Sequence, residues 1–143
     1  FGGAQYDPVN YPEINGGAGI RADLGGNELP NAPHWTANFG VQHKWPVSDD
    51  WDVTLRADAY WQGKSWARVY NLAPYDRLRD WTNFNLSVRV DGPENLTFEA
   101  YVKNVFNKSP ITDAFLNSDD TGLTTNVFTL DPRIIGFSIA KKF

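Results

Sequence analysis

The side chains able to do chemistry in this sequence are few, and their spacing argues against catalysis. His34 and His43 are the only histidines. Nine positions apart in one strand, they would face opposite sides and lie about 30 Å from each other, which excludes a shared metal or a histidine pair. There is no cysteine, hence no thiolate ligand, thiol nucleophile or disulfide frame. Gly16-Gly17 and Gly25-Gly26 do not lead from a strand into a helix, so they read as loop glycines rather than a phosphate cradle. Asn117-Ser-Asp-Asp-Thr-Gly122 is rich in oxygen but lacks the spacing and distal Glu of a calcium loop, and reads as a solvated turn. The expectation is no catalytic residue, no metal and no cofactor. Recognition is the chemistry left. Trp66, Arg68, Tyr70, Tyr75, Arg77 and Arg79, with Trp81 close behind, mix guanidinium groups and rings. That mixture suits anionic, aromatic or sugar-like ligands through charged hydrogen bonds and stacking.

Such residues act only where the chain holds them, and hydrophobic periodicity says how it does so. Trp35, Ala37, Phe39, Val41, His43 and Trp45 alternate with polar residues or Gly40. The same period of two carries Trp51, Val53, Leu55, Ala57, Ala59 and Trp61, then Phe84, Leu86, Val88 and Val90. It returns in Leu96, Phe98, Ala100, Val102 and Phe106, and finally in Ile135, Phe137, Ile139 and Phe143. Lys141 breaks the apolar face and Ile134 the polar one. Successive side chains of a strand point to opposite sides, so each of these five segments has one apolar face. The opposite face collects Arg56, Asp58, Tyr60, Gln62, Arg89, Glu99, Tyr101 and Lys103, in the line of Asp91 and Val105. Helical spacing fits none of the five.

The connections alternate in length. Residues 46–50 and 91–95 are short turns, whereas 63–80 and 107–132 are long, and a Gly-rich stretch, 8–32, precedes the first strand. Residues 1–6 read as the stub of a further strand. The composition narrows the class: 41% hydrophobic and 15% aromatic residues oppose disorder. A net charge of -4 and a pI near 5.0 oppose nucleic-acid binding, which needs a basic face. No run reaches the 18 or so apolar residues of a membrane helix, but a transmembrane β-barrel needs only alternation. One-sided alternation also fits a soluble, sugar-binding β-sandwich. Long strands, short turns at one end with long loops at the other, and Trp at two levels favour the barrel. Trp35 and Trp61 fall at the long-loop end and Trp45 and Trp51 at the short-turn end, as a membrane girdle requires. In a barrel the polar set above lines the lumen, and the loop set sits at the rim.

Three motifs sharpen this. Asn95-Leu-Thr-Phe-Glu-Ala-Tyr-Val-Lys-Asn-Val-Phe-Asn107 resembles the penultimate strand of TonB-dependent outer-membrane receptors. Asp131-Pro-Arg-Ile-Ile-Gly-Phe-Ser-Ile-Ala-Lys-Lys-Phe143 resembles their last strand, and Gly25-Gly-Asn-Glu-Leu-Pro-Asn-Ala-Pro-His-Trp-Thr36 their loop-to-strand signature. Lys141 departs from the pattern, which often has an aromatic there. The resemblance implies an all-β, antiparallel transmembrane barrel of about 22 strands, with residues 1–143 as its C-terminal part: five strands and a stub. The absence of Met and the start at Phe1 fit a processed or partial chain. It further implies a bacterial outer-membrane location with a periplasmic C-terminus, extracellular long loops, and Phe143 as a signal read by the barrel-assembly machinery. The implied partners are the remaining strands, a plug, the TonB complex through a part not in this chain, outer-membrane lipid, and an extracellular small molecule or oligosaccharide. The expected function is TonB-energised import of an extracellular nutrient, a siderophore, oligosaccharide or similar, not enzymatic turnover; a passive diffusion channel is the alternative within the membrane class.

Overall fold

The structure is a computed structural model that describes residues 4–5, 20–21, 23–116 and 124–142. Phe143 and the oxygen-rich turn at 117–122 lie outside the described residues. The strands in chain order are β1 (Ala4–Gln5), β2 (Ile20–Arg21), β3 (Thr36–Ser48), β4 (Trp51–Gln62), β5 (Ser65–Trp66) and β6 (Arg77–Leu78). They continue as β7 (Trp81–Gly92), β8 (Leu96–Lys103), β9 (Ile111–Leu116), β10 (Thr125–Thr129) and β11 (Ile134–Lys141). β3, β4, β7, β8 and β11 form one antiparallel sheet in which each strand pairs with the next long strand of the chain. Three two-residue or short ladders stand apart from it: β1–β2, β5–β6 and β9–β10. Within the part of residues 1–6 that is described, β1 pairs with β2 rather than joining the large sheet.

Register is what turns five alternating segments into a surface. Trp45, Val53, Val90, Phe98 and Ile139 are aligned across all five strands. So are His43, Leu55, Val88, Ala100 and Phe137, and above them Val41, Ala57, Leu86, Val102 and Ile135. A slip of one residue in any pair would send the whole apolar set of the slipped strand to the other face. Nothing covers this face among the described residues. Phe137 is 83% exposed, Ile135 75% and Phe39 69%. The buried side chains that are described, Ser65, Asp76, Leu78, Asn104 and Ala114, all lie outside the strands of this sheet. A β-sandwich buries one face of each sheet against the other, so the sandwich reading fails here.

Details depart from the sequence reading for identifiable reasons. The first turn is shorter than 46–50: β3 continues through Pro46 to Ser48 with a bulge before Ser48, leaving only Asp49 and Asp50 to turn. Pro46 is tolerated because β3 is an edge strand of this sheet. The fourth strand stops at Lys103 rather than Phe106, because Asn104 takes a left-handed backbone with φ of 50° or so (φ 49). The chain then swings back, Val105 N–H donates to Phe84 O at 2.9 Å, and Phe106 meets Phe84 edge-on at 5.1 Å. Val105 therefore borders the apolar face beside Phe39, Phe84 and Phe106, not the polar one. The expected long loop at 107–132 contains the β9–β10 hairpin, and 63–80 contains the β5–β6 ladder.

Lys141, the exception on the apolar face, is accounted for at the short-turn end. Its ammonium lies 2.5 Å from Glu94 Oε2 in the turn between β7 and β8. That turn places Glu94 and Asn95 both at positive φ and closes with Leu96 N–H on Pro93 O at 3.1 Å. Glycine matters at two rows. A Cβ on Gly92 would stand 2.8 Å from the Trp51 indole, so its absence lets the indole cross β7 and stack on Phe98, with centroids 6.4 Å apart. On the polar face Gly136 leaves room for the Tyr101 ring that lies against it.

The faces make a direct prediction. Leu55→Arg, mid-strand on the apolar face, is expected to cost about 2–4 kcal/mol of barrel stability, and Thr54→Arg, one residue away on the polar face, much less. Equal shifts of the two variants in a denaturant folding titration in lipid would show the face assignment to be wrong.

Candidate functional site

The polar face is layered. At the level of mid-sheet and below, most of its charges are paired, two of the pairs along single strands and one between β3 and β4. Arg56 donates through Nε to Asp58 Oδ2 at 2.8 Å and through Nη2 to Oδ1 at 2.7 Å. Arg89 grips Asp91 in the same way, Nε to Oδ1 at 2.9 Å, and Thr97 Oγ1 adds a hydrogen bond to that carboxylate at 2.8 Å. Lys44 pairs with Asp52 at 2.7 Å. Residues two apart in a strand share a face, so the sequence spacing Arg-x-Asp, used twice, builds a fork-shaped pair without help from a neighbour. Glu99 sits opposite Arg89 in the register, and Lys103 holds its ammonium 5.6 Å from the Tyr101 ring. Arg56, Asp58, Glu99, Tyr101 and Lys103 together border a hollow of about 490 Å³.

The two strand rows nearest the long-loop end carry no charge. Asn38, Tyr60 and Asn83 form one row, and Thr36, Gln62 and Trp81 the next. The Tyr60 and Trp81 rings are 4.9 Å apart at 48°, and Tyr60 donates its hydroxyl hydrogen to Gln62 Oε1 at 2.8 Å. Trp81, grouped with the loop by its sequence position, is the first residue of β7 and shares this face. On the reverse face Trp35 and Trp61 stand at the same end, and Trp45 and Trp51 at the other, with His43 edge-on to Trp45 at 4.3 Å.

Beyond the sheet, three loop segments are tied together, and Asp76 organises the largest of them. Its side chain is 1% exposed. The carboxylate accepts Arg68 Nε at 2.5 Å and Leu72 N–H at 3.1 Å, while its own N–H donates to Leu72 O at 2.8 Å. Asn71, left-handed at φ 52, staples this loop to residues 23–34. Its Oδ1 accepts Glu28 N–H at 2.7 Å, and its Nδ2 donates to Glu28 O at 3.1 Å and Arg68 O at 3.0 Å. Asn27 Nδ2 reaches Val69 O at 2.9 Å, and Asn31 links Trp66 O at 2.7 Å to Asp113 Oδ1 of β9 at 2.9 Å. His34 lies 3.2 Å from Glu28 Oε2 in the same cluster.

The predicted rim set is thus divided. Arg68 is turned inward onto Asp76 and serves the loop's own fold. Arg77 caps Trp66 at 4.5 Å from the ring, and Arg77, Arg79 and Tyr75 are exposed while Tyr70 is half-buried. Sequence reasoning passed over Asp76, whose partners Arg68 and Leu72 are near in the chain but meet it only once the loop folds, and Asn71 and Asn31, which reach across the chain to Glu28 and Asp113. It also passed over Asn104, 3% exposed, whose Nδ2 donates to Lys108 O and Asp131 O at 2.7 and 2.8 Å. The only advance signal was Asn itself, the residue most tolerant of left-handed backbone after glycine. Among the described residues no cluster of three His, Cys, Asp or Glu could hold a metal.

Removing the Asp76 carboxylate should loosen the loop cluster rather than the sheet. Asp76→Ala leaves Arg68 and Leu72 N–H without their acceptor, at a local cost of about 3 kcal/mol, the low end for breaking a buried pair because Arg68 keeps some water. Hydrogen exchange should speed up at Ala67, Asn71 and Leu72 and stay unchanged in β4 and β7; unchanged exchange at all three would sink this role for Asp76.

No curated protein and no solved structure matches the chain. The family comparison does: the family described as TonB dependent receptor-like, beta-barrel, matches residues 1–105. That span takes in β3, β4 and β7, the whole of β8, and the loop cluster between β4 and β7. An antiparallel sheet with one bare apolar face, one polar face and Trp at two levels is the wall such a barrel requires. The chain belongs to the TonB-dependent receptor-like β-barrel family, whose members are receptors and transporters of the bacterial outer membrane.

Proposed function

We propose that this chain forms wall and loops of a receptor that captures a nutrient outside the cell and imports it with energy transmitted through TonB. Family membership over residues 1–105 carries the reading. The structure supports it in three ways. The bare apolar face is suited to lipid. The edge strands β3 and β11 need further strands, because unpaired backbone groups are not tolerated in hydrocarbon. The loop cluster forms a braced platform at one end of the sheet.

In this reading the long loops are extracellular, the short turns and the C-terminus periplasmic, and residues 1–143 all belong to the barrel domain. The polar face looks onto a plug that TonB displaces, and the moving part lies outside the residues described here. Binding, not bond-breaking, is the work of the rim. Arg77, Arg79, Tyr75, Tyr70 and Trp66 form its outward-facing side, and Arg68 braces it from within. Barrel-assembly machinery would read the end of the last strand, including Phe143.

The test uses the intact receptor. Ligand uptake by cells should be abolished when TonB is deleted, and the purified receptor in a planar bilayer should hold its conductance closed. Uptake that persists without TonB, together with steady open conductance, would mean a passive diffusion channel instead.

A further inference from the structure

We infer that the uncharged tier at the long-loop end of the polar face, built by Asn38, Tyr60, Gln62, Trp81 and Asn83, is a binding surface for a neutral carbohydrate. The inference rests on the receptor reading above and narrows its ligand.

Placement comes first. Registers β3–β4 and β4–β7 put these five side chains in two adjacent rows on one face. That face is the one opposite Phe39, Ala59, Trp61 and Phe84, so lipid does not reach it. In the wall of a barrel it lies just below the rim, where a ligand leaving the loops would next make contact.

Charge then decides the ligand class. Neither row contains an acidic or basic residue. Of the charged side chains just below, Arg56 and Asp58 neutralise each other through two hydrogen bonds, and Lys103, which borders the same hollow, holds its ammonium over the Tyr101 ring at 5.6 Å, outside the two rows. An anionic chelate would find no free cation in this tier, and a cationic ligand no free carboxylate. A purely apolar ligand would have to desolvate three amides without replacing their hydrogen bonds, which is costly.

A sugar ring meets none of these objections. Its axial C–H face is apolar and fits the tilted pair Tyr60–Trp81, whose ring centroids are 4.9 Å apart. Its hydroxyls each donate and accept, as side-chain amides do. Gln62 already accepts from Tyr60 through Oε1, which leaves its Nε2 hydrogens to offer. Asn83 Oδ1 is shielded from solvent and accepts no hydrogen bond from the protein. Few convergent polar groups around a ring-sized apolar surface are the ordinary make-up of a small-molecule site.

The experiment titrates the intact, purified receptor with maltohexaose, cellohexaose and xylohexaose, and with ferric citrate as an anionic probe. Tryptophan fluorescence and calorimetry are the readouts. At least one hexasaccharide should bind, and Trp81→Ala and Tyr60→Ala should each weaken it about tenfold. Trp61→Ala, on the lipid side of the same strand, should leave the affinity alone and serves as the control for folding. Binding of ferric citrate with no hexasaccharide bound overturns the carbohydrate assignment and leaves the receptor reading standing. Hexasaccharide binding that ignores both Trp81→Ala and Tyr60→Ala overturns the site. Failure of every probe overturns the inference, and the receptor reading is judged separately by the TonB and conductance measurements.

Discussion

Everything in this structure depends on one requirement: backbone N–H and C=O groups inside hydrocarbon must bond to a neighbouring strand, because no water is there to take them. That requirement makes the strands long and their ladders continuous, and it makes register the quantity that matters. Once register is set, chemistry follows by parity. Odd-numbered positions of β3 and β4 meet lipid, and even-numbered ones meet the interior. The sheet needs no core of its own, since its apolar residues are solvated by acyl chains rather than by each other.

The polar face obeys a second economy. A charged interior wall is tolerable only if its charges are satisfied, and β4 and β7 each do this internally with Arg-x-Asp forks. These two pairs form within a strand whatever its neighbours do, whereas Lys44 and Asp52 meet only once β3 and β4 are in register. The uncharged rows above then differ from the wall below in kind, not in degree. This division is why the upper rows are read as recognition and the lower ones as support.

The five long strands were legible because two-residue periodicity is strong when one face meets lipid: Trp51, Val53, Leu55, Ala57 and Ala59 leave little room for another reading. Alternation also placed Arg56, Asp58, Tyr60, Gln62, Arg89, Glu99, Tyr101 and Lys103 on one face. The β9–β10 hairpin was not legible. Ile111-Thr-Asp-Ala-Phe-Leu116 has three adjacent apolar residues and no alternation, since its Ala114 is buried while Ile111 and Phe115 are exposed. Arg68 was misjudged for a related reason. Nothing local separates Asp76, which captures it, from Asp80, which stays exposed. Only the fold of the loop distinguishes the two.

The Lys141–Glu94 pair, finally, acts as a depth stop. Membranes differ in thickness, and a wall of alternating residues could in principle ride up or down within them. An ionic couple bound to the last turn cannot follow the apolar band into hydrocarbon without losing its water. The short-turn end is thereby pinned at the headgroup level, and any mismatch between protein and bilayer must be absorbed at the opposite end, around Trp35 and Trp61. Vertical compliance belongs to the long-loop end.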